Sequence, residues 1–127
     1  TLDKYTAVDH TAWRERMRAS VFQYMRYAPA RVDFAAQTTE KVDCGAYTRE
    51  KVYFNTTPEM RVPAYVLVPK SLKGKTPGIV ALHDHGGFYR WGKEKLVKTS
   101  DEHPSLTAFK KQAYHGHSIA DDLAEQG

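Results

Sequence analysis

From Asp9 to Tyr27, apolar side chains recur at Trp13, Met17, Val21, Tyr24 and Met25, the spacing of one helical face, while Arg14, Glu15, Arg18 and Arg26 fall on the other side. The pattern predicts an amphipathic helix whose Trp and Met stripe packs on a core. Pro29 ends it, because proline disfavours a helical residue before it and cannot extend the ladder. Residues Arg31 to Ala46 show no clean period and read as a connecting segment.

Two runs rich in β-branched and aromatic residues follow, Glu50 to Asn55 and Met60 to Val68, with Thr56-Thr57-Pro58-Glu59 as turn chemistry between them. They predict an antiparallel hairpin. Pro63 lacks an N–H, so the second strand belongs near an edge or bulges there. After the polar stretch Pro69 to Pro77, Gly78-Ile79-Val80-Ala81-Leu82 is short and continuously apolar, the pattern of a parallel strand buried on both faces.

Ligand crevices in open α/β sheets lie beyond the carboxyl ends of the strands, and His83-Asp84-His85-Gly86-Gly87 begins there. Glycines tolerate positive φ and let the main chain approach a ligand without an intervening Cβ, so the pair at 86 and 87 suits N–H groups turned toward a carbonyl oxygen. A plain tight turn is the competing reading. Phe88 to His115 is a long segment with one short helix expected after Pro104. Ser118 then reads as the N-cap of a last helix, with Asp121 in its first turn and Gly127 at its end. The fold class implied is α/β: an antiparallel hairpin, then a parallel strand, its loop and a helix. Residues 1–46 form an amino-terminal helical and connecting segment, and residues 47–127 the first half of the α/β domain.

Composition adds only constraints. The 127 residues suit one core, and 19 Lys and Arg against 15 Asp and Glu give a formal charge of +4. The basic residues are scattered and no nucleic-acid-binding module is recognisable. No apolar run reaches membrane length and no signal-peptide pattern is present, while Cys44 is the single cysteine. The cytoplasm is therefore the expected compartment, with no nucleic-acid or membrane partner.

The order of hairpin, apolar strand, Ala81-Leu82-His83-Asp84-His85-Gly86-Gly87, long insert and terminal Ala-Asp-Asp-Leu-Ala-Glu-Gln-Gly resembles the α/β-hydrolase superfamily. Within it, the dienelactone-hydrolase and acetyl-xylan-esterase-like branch is the most similar. The resemblance covers about residues 47 to 127. It implies a serine esterase acting on carboxylic esters without a cofactor, with His85, Gly86 and Gly87 in the oxyanion-hole loop and the donor N–H coming from His85 or Gly86. Phe88, Tyr89 and Trp91 then form an aromatic wall for an acyl or sugar group, or else cover a sheet edge or a subunit contact. In such folds the nucleophile, acid and base come later in the chain, so the resemblance implies that they lie on a carboxyl-terminal half carried by a second polypeptide or lost by truncation. Self-association stays open.

Three other readings compete. Gly116-His117-Ser118-Ile119-Ala120 mimics a nucleophile elbow, but the preceding Lys110 to His115 is polar rather than a buried strand. His83 and His85 with His115 and His117, near Asp84, His103 and Asp121, could be imagined as a zinc site, yet no further ligand has diagnostic spacing, so no metal is expected. A non-catalytic binding or assembly module, pairing through an open sheet edge, is the third.

Overall fold

The computed structural model describes residues 10–127. Helix α1 runs His10–Met25, and its expected first residue, Asp9, lies outside the described residues. Arg26 takes a left-handed φ of 50° just before the chain leaves the helix toward Pro29. The expected docking of the Trp13, Met17 and Val21 stripe on a core is corrected: these side chains are exposed and no residue of α1 is buried. Phe22 lies on the face opposite Trp13, under the Arg18 guanidinium, so apolar surface is spread around the axis and no single face gains by docking.

Three strands form one antiparallel sheet in the order β1-β2-β3: β1 Gln37–Asp43, β2 Tyr47–Thr57 and β3 Met60–Pro69. The β2–β3 hairpin matches the sequence expectation, with Phe54 opposite Val62 and Val52 opposite Ala64. Its turn is fastened by Glu59 N donating to Thr57 Oγ1 at 3.3 Å. Pro63 sits opposite Tyr53 in β3, the strand at one edge of this sheet.

β1 is a correction, since it lies inside the stretch read as connecting. Almost every residue of β1 is exposed, so it has no apolar alternation to detect. Polar pairing with β2 holds it: Lys41 bridges Glu50 at 2.7 Å, and Thr38 Oγ1 donates to the same carboxylate at 3.3 Å.

The predicted parallel strand at 78–82 is the second correction. The described residues contain no parallel strand, the segment has no regular secondary structure, and Ile79, Val80 and Leu82 are 73%, 86% and 86% exposed. A parallel strand is held by neighbours on both sides and by cover on both faces, and the described residues supply neither.

Beyond it, a 3₁₀ turn at Lys93–Leu96 precedes α2 (Pro104–Ala113) and α3 (Ile119–Gln126). His103 caps α2, its ring nitrogen accepting from Ser105 N at 3.2 Å, with Pro104 in the first turn where its missing N–H costs nothing. Ser118 precedes α3 but does not cap it through its side chain. Its buried Oγ accepts instead from Lys110 Nζ at 3.3 Å.

The core is small and mixed, with Tyr47, Val52, Leu96, Val97, Leu106 and Ala124 buried beside Arg49, Lys95, Lys110 and Asp121. Lys110 Nζ donates to Val97 O at 2.6 Å and pairs with Glu102. Asp121, 0% exposed, accepts from the Tyr47 hydroxyl and from Lys98 N at 2.8 Å, tying β2, the loop and α3 together. Leaving the buried Tyr47 hydroxyl without this acceptor costs on the order of 1–3 kcal/mol, and losing the part-buried Lys98 N–H bond adds to it. Asp121→Ala is therefore expected to lower the unfolding free energy by about 3 kcal/mol, read by urea denaturation; a loss under about 1 kcal/mol would mean that the tie carries little.

Candidate active site

Residues His83 to Gly87 leave the exposed 78–82 segment and turn back over the region of α2 and the 3₁₀ turn. Gly86 and Gly87 both take left-handed backbone, φ 50° and 65°. Gly86 is required twice over, because a Cβ there would meet Asp84 Oδ2 and would sit 2.8 Å from Phe109 Cζ. Gly92 lets the returning chain pass the His83 ring, where a Cβ would lie 3.1 Å from Nε2.

The loop's backbone groups are unevenly used. Phe88 N donates to His85 O at 3.0 Å, and Gly87 N donates to His85 Nδ1 at 3.3 Å. Among the described residues, neither His85 N–H nor Gly86 N–H donates to a protein acceptor. The carbonyls of Asp84 and His85, by contrast, both accept from Lys95 Nζ, at 3.0 and 2.9 Å. Lys95 is 1% exposed, and its ammonium also lies 4.9 Å from the centroid of the Phe109 ring.

Asp84 accepts from the Tyr114 hydroxyl, and that bond, with the Lys95 charge, holds its carboxyl below the usual carboxylate range. Burial, reinforced by the Asp84 carboxylate, pushes the Tyr114 phenol up to about 12. His83 Nδ1 is 2.8 Å from Asp84 O.

The aromatic residues after the loop have separate fates. Phe88 stacks on Phe109 at 5.0 Å between centroids, and Tyr89 stacks on His85 at 6.1 Å while staying exposed. Trp91 lies against His103 at 5.9 Å, and its buried Nε1 has no hydrogen-bond partner among the described residues. Phe88 and Tyr89 thus border the loop, whereas Trp91 is turned toward the start of α2.

The histidine pairs do not converge. His117 Nδ1 contacts Asp122 at 2.9 Å, and no group of three His, Cys, Asp or Glu side chains gathers among the described residues. Ser118 follows α2 and a tight turn rather than a strand, and is buried with Lys110.

Sequence reasoning missed the residues that support the loop. Lys95 stands in Lys93-Glu94-Lys95-Leu96, which looks like a solvated charge run, and Phe109 and Tyr114 are 20 or more residues from the loop they touch. Their one sequence signal was the length of the insert that carries them. Chemically, the loop can present two adjacent N–H donors to a bound oxygen, beside the His85 imidazole and aromatic surface.

A family model described as an Abhydrolase family matches residues 2–127. A curated protein of Bacillus subtilis (strain 168), named "Putative hydrolase YtaP", is 26% identical over 88 residues, which cover 69% of this chain and 29% of that protein. The match therefore spans less than a third of that relative's length. No solved structure matches.

Tyr114→Phe removes the bond that chiefly lowers the Asp84 carboxyl, so its titration midpoint should rise toward the ordinary range. A lowered carboxylate contributes stability above its unfolded-state pKa and loses it as pH falls through the folded value. In the variant the loop's acid transition should accordingly begin at a higher pH. Carbon-13 NMR titration of Asp84 measures the shift; an unchanged midpoint would remove Tyr114 from the account.

Proposed function

Because the chain belongs to the Abhydrolase family, we propose that it carries the oxyanion-hole loop of a serine esterase acting on carboxylic esters. The observation that supports this reading is the pair of consecutive N–H groups, His85 and Gly86, that donate to no protein acceptor among the described residues. Preorganised backbone donors aimed at a developing charge are what acyl transfer needs, and each is worth about 2.7–4 kcal/mol of barrier in a site closed to water.

In the proposed reaction a serine Oγ forms a bond to the ester carbonyl carbon while a histidine takes its proton. The carbonyl oxygen becomes an oxyanion held by His85 N–H and Gly86 N–H. Collapse breaks the bond to the alcohol, which leaves with the proton from the histidine, and water then releases the acid by the same steps. Serine, histidine and acid come from the carboxyl-terminal half of the fold, which also supplies neighbours for the exposed Ile79, Val80 and Leu82. Phe88 and Tyr89 line the acyl side, and the dienelactone-hydrolase and acetyl-xylan-esterase-like branch is the finer placement that the His-x-His-Gly-Gly loop favours.

The whole protein should hydrolyse a short-chain p-nitrophenyl ester and take one fluorophosphonate label on a serine outside residues 1–127. Gly86→Ala, which forces the loop off its left-handed geometry, should lower kcat/KM by about 100- to 1,000-fold. Turnover without serine labelling, or a Gly86→Ala variant as active as the parent, would overturn the assignment.

A further inference from the structure

We propose that Lys95 is the positioning residue of the His83–Gly87 loop, its buried ammonium setting the direction of the two peptide N–H groups that face the substrate. The catalytic consequence rests on the esterase reading above, whereas the positioning itself rests on geometry alone.

A lysine ammonium has three donors and no acceptor. Here two of them go to consecutive carbonyls, Asp84 O at 3.0 Å and His85 O at 2.9 Å, and the cation lies against the face of Phe109 at 4.9 Å. A planar trans peptide holds its N–H antiparallel to its C=O. Drawing the Asp84 carbonyl inward therefore turns His85 N–H outward, and drawing the His85 carbonyl inward does the same to Gly86 N–H. Among the described residues, neither of these two N–H groups donates to a protein acceptor. The next one, on Gly87, is already taken by His85 Nδ1.

Burying an ammonium is costly, and a lysine 1% exposed with no carboxylate hydrogen-bonded to it among the described residues departs from the usual solvated placement. Its charge at the oxygen end of both peptide dipoles favours the orientation in which both N–H groups point away. It also polarises them as donors, as linked hydrogen bonds in a low-dielectric setting do. Lys95 touches no reacting atom, so its effect should fall on the chemical step rather than on substrate binding.

The test uses the whole protein with Lys95→Met, which keeps the stem and removes the charge, and Lys95→Arg, which keeps the charge. With a p-nitrophenyl ester, Lys95→Met should lower kcat about 100-fold with KM within about threefold, and Lys95→Arg should recover at least about a tenth of the parent kcat. In glycine-selective nitrogen-15 spectra, the Gly86 amide should shift and exchange faster in Lys95→Met, while those of Gly45 and Gly116 stay in place. If Lys95→Met fails to fold, Lys95→Gln replaces it under the same readouts and expectations. A parent kcat with an unmoved Gly86 amide overturns the proposal, as does an equal loss in kcat and KM that arginine does not repair. Should the parent protein turn over no ester, the esterase reading falls and the Gly86 amide alone decides whether Lys95 positions the loop.

Discussion

A single buried carboxylate connects the parts of this chain that carry chemistry. Asp121 receives the Tyr47 hydroxyl from the sheet and the Lys98 amide from the segment after the 3₁₀ turn. Arg49, on the same strand as Tyr47, donates to the Lys98 carbonyl, so Lys98 is held through both its N–H and its C=O. That anchoring fixes the preceding turn, and the turn presents Lys95 to the carbonyls of Asp84 and His85. Leu96 and Val97, the two residues after Lys95, are buried as well. With so few buried apolar residues, polar groups that must find partners specify this geometry.

The loop itself lies on open surface, and neither the cleft beside α1 nor the one beside Val42, Cys44 and Thr99 borders it. Openness decides what its free N–H groups can do. A hydrogen bond in contact with water contributes about 0.5–1.5 kcal/mol net, because water is the alternative partner. The same donor facing a developing oxyanion in a closed site is worth several times that. The esterase reading therefore requires further structure over His85 and Gly86, and the uncovered apolar residues at 79–82 are where such structure would attach. Phe88 and Tyr89, packed on Phe109 and His85, give that cover an aromatic surface to meet.

Local sequence fixed some elements well and others poorly, for physical reasons. The β2–β3 hairpin was legible because its β-branched runs and its Pro58-Glu59 turn act locally. The α1 segment was legible as a helix but not in its packing, since Phe22 places apolar surface opposite Trp13. β1 was hidden because its stability comes from Glu50 across the ladder rather than from burial of its own side chains. At 78–82 the apolar run carries strand propensity, but a strand is a property of its neighbours, and the described residues supply none. The loop's glycines were legible because positive φ leaves a residue-type signature. Lys95, Phe109 and Tyr114 left none, since contacts across 10 to 30 positions are set by the fold and not by any spacing along the chain.

The central claim is that His85 N–H and Gly86 N–H receive the charge that develops on a substrate oxygen. The most direct measurement is a crystal structure of the whole protein after reaction with a fluorophosphonate, whose phosphoryl oxygen stands where the oxyanion forms. The account predicts that oxygen within about 2.7–3.1 Å of both nitrogens, with Lys95 still bonded to the carbonyls of Asp84 and His85. A phosphoryl oxygen held by other donors, with these two N–H groups facing solvent, would contradict it.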